Sequence, residues 1–286
     1  MPNQVNAQTA PSLGTAASFA VVGSTTVTNT GSTVVNGDVA VSPGSAITGF
    51  PPGVVTPPHM IVVYDAVALQ AQTDANTAFN ELGGEPCTAD LTGQDLGGMT
   101  LTAGVYCFDS SAQLTGPLTL DAAGNADATF IFKMGSTITT ASASSVLVIN
   151  GGSDCNVWWH VGTSATLGTT TSFAGNILAY ASITMTTGAN LSGRAFALFG
   201  AVTMDTNTIG TTACIAPPAA TSVPTDVPVG ATAVPSATST TVAPGATAAP
   251  GATAVPGSGS QSIISGLPNS GGGPPQATYW IVGSGG

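Results

Sequence analysis

Thr184-Met185-Thr186-Thr187 is the stretch of sequence that decides the fold, because close copies of it recur along the chain. The other copies are Thr137-Ile138-Thr139-Thr140, Thr166-Leu167-Gly168-Thr169, Thr203-Met204-Asp205-Thr206 and a similar early segment, Thr26-Val27-Thr28-Asn29. Neighbouring side chains of a strand point to opposite faces, so we expect the apolar residue of each copy to point inward and its two neighbours outward. Stacked copies then form a flat, uncharged face of hydroxyl side chains. Such a face favours recognition of an extended surface over chemistry on a small molecule.

The copies are spaced like the coils of a solenoid. From Thr137 the first threonines of successive copies are 29, 18 and 19 residues apart, and periods of about 20 residues or more are typical of solenoids. One coil of a three-sided β-helix fits 18 or 19 residues, and the longer interval leaves room for a loop at about residues 150–156. Short Val, Ile, Leu and Thr runs alternate with Gly, Asn, Asp and Ser turns from residue 13 to about 215. The sequence therefore predicts one all-β solenoid domain over residues 13–215.

The charge composition limits the partners. Charged residues make up 5% of the chain, and its two cations, Lys133 and Arg194, stand against 13 acids for a net charge of −11. Nucleic acid and anionic membranes need clustered Lys and Arg, so neither is expected as a partner. The sequence has no recognisable signal peptide and no run of about 18 apolar residues, and it therefore predicts no transmembrane segment.

One segment departs from the strand pattern. Residues 57–82 carry Ala and larger apolar residues at intervals of three or four, which predicts a long amphipathic helix lying along one side of the solenoid. Thr56 is the expected N-cap, and Gly83-Gly84 is expected to end the helix.

The ends of the chain have different compositions. Residues 1–12 are expected to be a polar leader, and residues 216–286 are a stalk of Pro, Ala, Thr, Val, Ser and Gly. Within the stalk, residues 267–271 (Leu-Pro-Asn-Ser-Gly) loosely resemble a sorting signal. A simple linker and a surface-attachment segment are both open, and we expect a secreted or cell-surface protein.

The cysteines are expected to form disulfides. Cys87, Cys107, Cys155 and Cys214 include no CxxC pair and permit three pairings. We favour Cys87–Cys107 and Cys155–Cys214 in an exported protein. Buried free thiols in a cytosolic protein are the alternative.

The sequence gives little support to an enzyme, a cofactor or a metal site. His59 and His160 have no nearby nucleophile motif, and the acids are scattered without calcium-binding spacing. Trp158 and Trp159 are either a platform for a sugar or, as we expect, one core residue with an exposed neighbour. Arg194 is expected to satisfy backbone carbonyls or to pair with a buried acid.

A family resemblance extends from about residue 13 to 209. It is carried by segments 13–21 (LGTAASFAV), 37–44 (GDVAVSPG), 47–53 (ITGFPPG), 91–98 (LTGQDLGG), 101–106 (LTAGVY), 155–159 (CNVWW), 173–179 (FAGNILA), 193–195 (GRA) and 200–209 (GAVTMDTNTI). In these segments the chain resembles the DUF3494 family of ice-binding proteins. The resemblance implies a right-handed, three-sided, discontinuous β-solenoid with a helix alongside and an early coil packed among or beside late coils. It also implies that one flat solenoid face contacts ice.

The candidate ice-binding residues are two columns. The first column is expected to be Thr26, Thr137, Thr166, Thr184 and Thr203. The second is expected to be Thr28, Thr139, Gly168, Thr186 and Asp205, with Gly168 and Asp205 as defects. Thr also fills exposed strand positions without any function, so plain strand propensity remains an alternative.

Ice or ordered water is the expected partner, with a cell wall or other copies of the chain as further partners. The rival functions are an adhesin or filament-forming matrix subunit on the same scaffold and a carbohydrate-binding module that uses Trp158 or Trp159.

Overall fold

The structure, a computed structural model, describes residues 10–211. Most of the leader expected over residues 1–12, the stalk at 216–286 with its segment 267–271, and Cys214 lie outside the described residues.

The described chain forms one α-helix, two short 3-10 helices and 22 strands. In chain order these are η1 (Gly14–Ser18), β1 (Phe19–Gly23), β2 (Thr26–Thr30), β3 (Val34–Asn36), β4 (Asp38–Val41), β5 (Ala46–Thr48), β6 (Val54–Val55), β7 (Ile61–Val63), α1 (Ala66–Gly84), β8 (Ala89–Asp90), β9 (Thr100–Thr102), β10 (Gly104–Phe108), β11 (Ala112–Leu114), β12 (Pro117–Asp121), β13 (Phe130–Met134), β14 (Ile138–Thr140), β15 (Ser145–Ile149), η2 (Asp154–Asn156), β16 (Val157–Val161), β17 (Ala165–Leu167), β18 (Ser172–Ala179), β19 (Ile183–Met185), β20 (Asn190–Ala197), β21 (Val202–Asp205) and β22 (Thr208–Gly210).

Parallel pairing arranges these strands on three faces. The helix face is β7-β4-β1-β20-β18-β16-β13-β10-β8, and the threonine face is β11-β14-β17-β19-β21-β2-β5. The third face is β6-β3-β22-β20-β18-β15-β12-β9, and the long strands β18 and β20 run from it onto the helix face. The chain passes repeatedly from the helix face to the threonine face and then to the third face. The expected three-sided β-solenoid with one helix is confirmed.

The stacking order does not follow the chain order. On the threonine face the early strand β2 pairs with the late strand β21 on one side and with β5 on the other. On the helix face β1 lies between β20 and β4 in the same way. The early coils therefore extend the stack beyond the last coil, which confirms the expected discontinuous order.

The helix begins later than the sequence predicts. Residues 57–65 are not helical; α1 spans Ala66–Gly84, and its N-cap is Asp65, whose Oδ1 accepts a hydrogen bond from the Ala68 N–H at 2.8 Å. The expected N-cap, Thr56, is therefore wrong. The β-branched run Ile61–Val63 instead forms β7 and pairs with β4, because β-branched side chains suit a strand and two prolines precede them.

The helix lies on the helix face through small residues. Ala68, Ala71, Ala75 and Ala78 are completely buried, and so is Leu82. They pack against outward-pointing strand residues, which include Val22, Ala40, Ile131, Trp158, Leu178 and Phe196. At 1.5 Å per residue the 19-residue helix is about 28 Å long, so it crosses about six strand spacings of ~4.8 Å. It carries the chain from β7 at one end of this face toward β8 at the other.

The two cations hold the helix and the N-terminal segment in place. The Lys133 ammonium donates to the carbonyl oxygens of Gly83 (2.8 Å) and Glu85 (2.7 Å) at the C-terminal end of α1. The buried Arg194 guanidinium donates to the Ala17 carbonyl oxygen (2.7 Å) and to Asn176 Oδ1 (2.9 Å). Burial lowers the pKa of Arg194 to about 10, so it stays charged at neutral pH. The expectation that Arg194 satisfies a backbone carbonyl is confirmed.

Aromatic rings stack inside the solenoid. Tyr106, Phe132 and Trp159 occupy one register on β10, β13 and β16, with ring centroids 5.4 and 4.1 Å apart. Trp158 points the other way but is also buried, because α1 covers the helix face. The expectation of one exposed tryptophan in this pair is therefore wrong. With both rings buried, neither can stack on a sugar as the carbohydrate-binding hypothesis requires.

One disulfide is present among the described cysteines. Cys87 and Cys107 are bonded, which confirms that predicted pair and ties the segment after α1 to β10. The pairing of Cys155 with Cys214 stays a prediction, since Cys214 is not described.

Replacing Lys133 tests its role as the helix cap. We expect Lys133→Met to lower the free energy of unfolding by about 1–3 kcal/mol, because it leaves two helix-end carbonyls without their charged donor. Lys133→Arg keeps a cation and N–H donors and should lose less. Urea unfolding at pH 7 measures both changes, and a Met variant as stable as wild type would contradict this role.

His160 makes stability depend on pH. Its ring stacks on Phe79 with centroids 3.9 Å apart, and burial, followed by the nearby positive charge of Lys133, lowers its pKa to about 4. Between pH 6.5 and 4 the unfolded chain binds a proton at this side chain that the folded chain does not, so stability falls as the pH falls through this window, by on the order of 2–3 kcal/mol. Thermal unfolding from pH 7 to 4 should show this loss. His160→Phe should reduce the slope, and an unchanged slope would refute the assignment.

Candidate functional site

The threonine face alternates buried and outward-pointing residues along each strand. Its inward residues are completely or almost completely buried; they include Val27, Ile138, Leu167, Met185 and Met204. The expected orientation of the sequence repeats is therefore confirmed. The outward residues form columns across the strands, and the backbone pairing decides which residues share a column.

A central column of threonines runs the length of this face. Successive pairings place Thr139 beside Thr166, then Thr184, Thr203, Thr28 and finally Thr48. Gln113 pairs with Thr139 and begins the column at the other end. The seven strands span six spacings of ~4.8 Å, or about 29 Å. These seven residues, hereafter the central column, include no charged side chain.

Two expected members belong to a different column. Thr137 and Thr26 lie two residues before Thr139 and Thr28, so the expected first column is wrong at these positions. Thr26 pairs with Ala46, and Thr137 Oγ1 donates to Ser111 Oγ at 2.9 Å. A shift of two residues leaves every side chain on its own face of the strand, so the alternation cannot distinguish the two registers. This first flanking column is otherwise made of small residues, namely Ser111, Ser164, Ser182, Ala201 and Ala46.

The expected second column is divided as well. Thr28 and Thr139 belong to the central column, whereas Gly168, Thr186 and Asp205 lie two residues beyond it in a second flanking column. Thr30 pairs with Asp205 in that column. Of the eight candidate threonines, the central column thus takes Thr28, Thr139, Thr166, Thr184 and Thr203, and the flanking columns take Thr26, Thr137 and Thr186.

Asp205 is the charged residue of the second flanking column. Its carboxylate accepts hydrogen bonds from the hydroxyls of Thr187 and Thr206. The hydrogen bond from Thr187, and after it the one from Thr206, holds the pKa of the carboxyl below its usual range. Asp205 is therefore ionised at neutral pH. The charge lies at the margin of the face and is engaged by neighbouring hydroxyls.

Sequence reasoning missed both ends of the central column. Ala46-Ile47-Thr48 has the same order of small, apolar and hydroxyl residues, and Thr48 follows Thr28 by 20 residues, near the period of the late coils. That spacing is the signal that identifies Thr48. The other end of the column is a glutamine rather than a threonine, so the sequence repeat does not reveal it. Only the pairing of β11 with β14 identifies Gln113 as a member.

The other two faces are not equivalent surfaces. The helix covers the helix face. The third face has a mixed column of Ser172, Asn190, Thr208, Val34 and Val54, and Leu147 is exposed on it. Within the described part of the chain, the threonine face is the one that is both uncovered and regular.

Residues 10–211 contain no cluster of three or more His, Cys, Asp or Glu side chains placed to hold a metal ion. Nor does that part of the chain contain a helix long and apolar enough to cross a membrane.

Comparison with known proteins gives one consistent result. The sequence profile of the family described as Ice-binding-like matches residues 21–210. An ice-binding protein of Nostoc sp. (strain HG1) is 56% identical over 207 residues, which are 72% of this chain and 76% of that protein. Ice-binding protein 1 of Shewanella frigidimarina (strain NCIMB 400) is 35% identical over 230 residues, but the match spans only 26% of that protein. The crystal structure of an ice-binding protein from the Antarctic ascomycete Antarctomyces psychrotrophicus matches with a TM-score of 0.67 and 43% identity, over 71% of this chain and 98% of that one.

Gly168 is the position of the second flanking column where a side chain does not fit. A Cβ there would lie 2.6 Å from the Thr140 carbonyl oxygen and 2.8 Å from the Ala141 carbonyl carbon. We expect Gly168→Thr to lower the free energy of unfolding by about 1–3 kcal/mol. Ala141→Thr, at the position directly after β14 in the same column, should change it by less than about 0.5 kcal/mol because Ala141 is exposed. Chemical denaturation of both variants measures this, and equal stabilities would show that the backbone yields.

Proposed function

This chain belongs to the Ice-binding-like family, and from that premise we propose that it binds ice through the central column of its threonine face. The observation that carries the proposal is the register: six threonines from six coils stand side by side on one uncovered sheet. Neither the covered helix face nor the mixed third face offers a comparable array.

The spacing and the chemistry of the column suit a crystal surface. Ice differs from liquid water only in its order, so a protein recognises it through many weak contacts held at fixed intervals. Neighbouring strands repeat at about 4.8 Å, and alternate residues of a strand at about 6.7 Å. Threonine offers a methyl and a hydroxyl together, and its β-branch restricts χ1. The methyl groups order water above the face while the hydroxyls anchor it.

The rigidity of the column lowers the ordering penalty of binding. Each of the five inner threonine strands is hydrogen-bonded to a neighbour on both sides, and the inward residues between the threonines are buried. Little conformational freedom therefore remains to be lost when the face adsorbs. The small residues Ser164, Ser182 and Ala201 in the first flanking column keep the face level beside the threonines.

The proposed activity requires no catalytic step. Adsorbed molecules pin the ice front, which then curves between them, and this depresses freezing or inhibits recrystallisation. The relatives are named as ice-binding proteins, which supports a binding role rather than an enzymatic one. His160, one of the two histidines, is stacked against Phe79 of the helix.

We place this function outside the cell. The Cys87–Cys107 disulfide supports this, because disulfides persist in oxidising compartments. Ice is the partner for which the family and the register argue. Nothing in the comparisons supports the adhesin alternative, and contact with a cell wall or with other copies of the chain has no support from them either.

A single bulky residue in the middle of the column tests the proposal. We expect Thr184→Tyr to reduce thermal hysteresis by about tenfold, because the protruding ring lifts the rungs on either side away from a flat crystal. The matched control is Thr208→Tyr, an exposed outward threonine on the third face, between two paired strands. The control should keep wild-type activity.

The test measures thermal hysteresis and recrystallisation inhibition of both variants. Circular dichroism confirms that each variant is folded. Full activity in a folded Thr184→Tyr protein would show that the central column does not bind ice. Loss of activity in Thr208→Tyr alone would assign ice binding to the third face.

A further inference from the structure

A groove runs along the edge where the chain passes from the helix face to the threonine face. Ser24, Pro43 and Leu198 line one side of it, and they follow the ends of three neighbouring strands, β1, β4 and β20. Helix α1 forms the other side. The groove has a volume of about 240 Å³, which is below the range of about 300–1,000 Å³ of ordinary ligand pockets. It therefore suits a ligand of one small ring rather than a large molecule.

Gln72 carries an unpaired acceptor on the helix side of this groove. The residue is only 9% exposed, and its Nε2 donates to the carbonyl oxygens of Leu198 (2.6 Å) and Ala197 (3.3 Å). Since the amide nitrogen faces these two carbonyls, the acceptor Oε1 occupies the other branch of the planar amide. Oε1 has no hydrogen-bond partner among residues 10–211. Buried acceptors without a partner are rare in folded proteins, so this atom favours a ligand that donates a hydrogen bond.

The neighbouring polar groups of the helix side are neutral. Thr73 Oγ1 donates to the Leu69 carbonyl oxygen at 2.9 Å, which leaves the hydroxyl oxygen free to accept. Asn76, one turn after Gln72, adds a second carboxamide, which both donates and accepts. The described residues that line the groove include none with a charge. A charged ligand would therefore lose water without meeting a counter-charge, whereas a neutral molecule rich in hydroxyl groups matches the lining.

Phe199 adds an aromatic surface to the same groove. It is 55% exposed, and its ring centroid lies 4.8 Å from that of Tyr180, with the two rings tilted by 46°. The contact with Tyr180 supports the ring from one side. The face of an aromatic ring carries negative charge density and attracts weakly positive C–H groups. A sugar ring presents such C–H groups on one face and hydroxyl groups around its rim.

We propose that this groove binds one neutral sugar ring, either a free monosaccharide or the terminal unit of a neutral polysaccharide. Hydroxyl groups of the ring donate to Gln72 Oε1 and exchange hydrogen bonds with Asn76, while its C–H face packs on Phe199. The buried pair Trp158 and Trp159 takes no part. The site is independent of the proposed ice binding, because none of its lining residues belongs to the three columns of the threonine face.

The side-chain amide of Gln72 provides a direct test. The methyl α-glycosides of glucose, galactose and mannose are each titrated into the full chain labelled with nitrogen-15, and the Gln72 Nε2 resonances are followed by NMR. At least one glycoside should shift them saturably, with a Kd on the order of 1 mM for so small a ligand. Glucuronate, which has the same ring with a carboxylate, is the charged control and should bind at least about tenfold more weakly than the best glycoside.

Two outcomes of this titration would overturn the site. One is the absence of a saturable shift at Gln72 with all three glycosides up to about 50 mM, far above the expected Kd. The other is binding of glucuronate as tight as that of the best glycoside, since the uncharged lining then would not select the ligand.

Substitutions in the groove locate the binding. Phe199→Ala removes the aromatic surface, and Asn76→Ala removes the second carboxamide while raising helix propensity. Each should raise the Kd of the best glycoside by about tenfold. Tyr64→Ala, which removes a ring that is 69% exposed outside the groove, is the matched control and should keep the wild-type Kd. With folding confirmed by circular dichroism, an unchanged Kd in both groove variants, or an equal loss in the control, would contradict the proposal.

A longer ligand distinguishes the two sources of the ring. A linear trisaccharide that ends in the best-binding sugar offers the same ring at the end of a chain. If it binds at Gln72 as tightly as the methyl glycoside, the groove accepts polysaccharide ends. If it is excluded while the glycoside binds, the ligand is a free monosaccharide.

Discussion

The in-register pairing of β2 with β21 is the constraint on which the rest of this structure depends. It places Thr28 beside Thr203 and, through β5, adds Thr48, so strands from opposite ends of the domain share one column. Without it the face would consist of five late strands and a separate pair of early ones. The same splice inserts β1 between β20 and β4. An interface that relies on many weak, equivalent contacts gains directly from each added rung.

The three faces of the solenoid have different roles in the structure. The helix packs on its face through a stripe of buried alanines, which permits close approach. The helix also carries the chain from one end of the stack to the other. The third face contains short, irregular strands and β22, the last described strand. Among residues 10–211, these arrangements leave the threonine face uncovered by other elements. The two cations, Lys133 and Arg194, hold the helix and the N-terminal segment rather than meeting a ligand, so the exposed hydroxyl array remains uncharged along its centre.

Much of the fold and part of the candidate site could be predicted from the sequence, and each wrong prediction has a physical cause. The repeat period predicted the solenoid, and the alternation predicted which residue of each copy is buried. The columns were misassigned at Thr26 and Thr137 because a two-residue shift preserves the alternation, so only backbone pairing distinguishes the registers. The helix was started too early because Ile61 fits a helical stripe, although β-branched residues after two prolines favour the strand that forms. Burial of Trp158 depended on the helix covering it, a tertiary effect that no local pattern contains.

The central claim is that equivalent threonines contact ice together along one column. It is tested most directly by measuring the partitioning of protein into growing ice for six single tyrosine variants, one at each threonine of the central column. A contact shared along the column predicts that the loss is largest at the middle rungs, Thr166, Thr184 and Thr203, and declines toward Thr139 and Thr48, where most of the column remains intact on one side. A loss that is absent at every rung, or confined to Thr48 at the end of the stack, would contradict it.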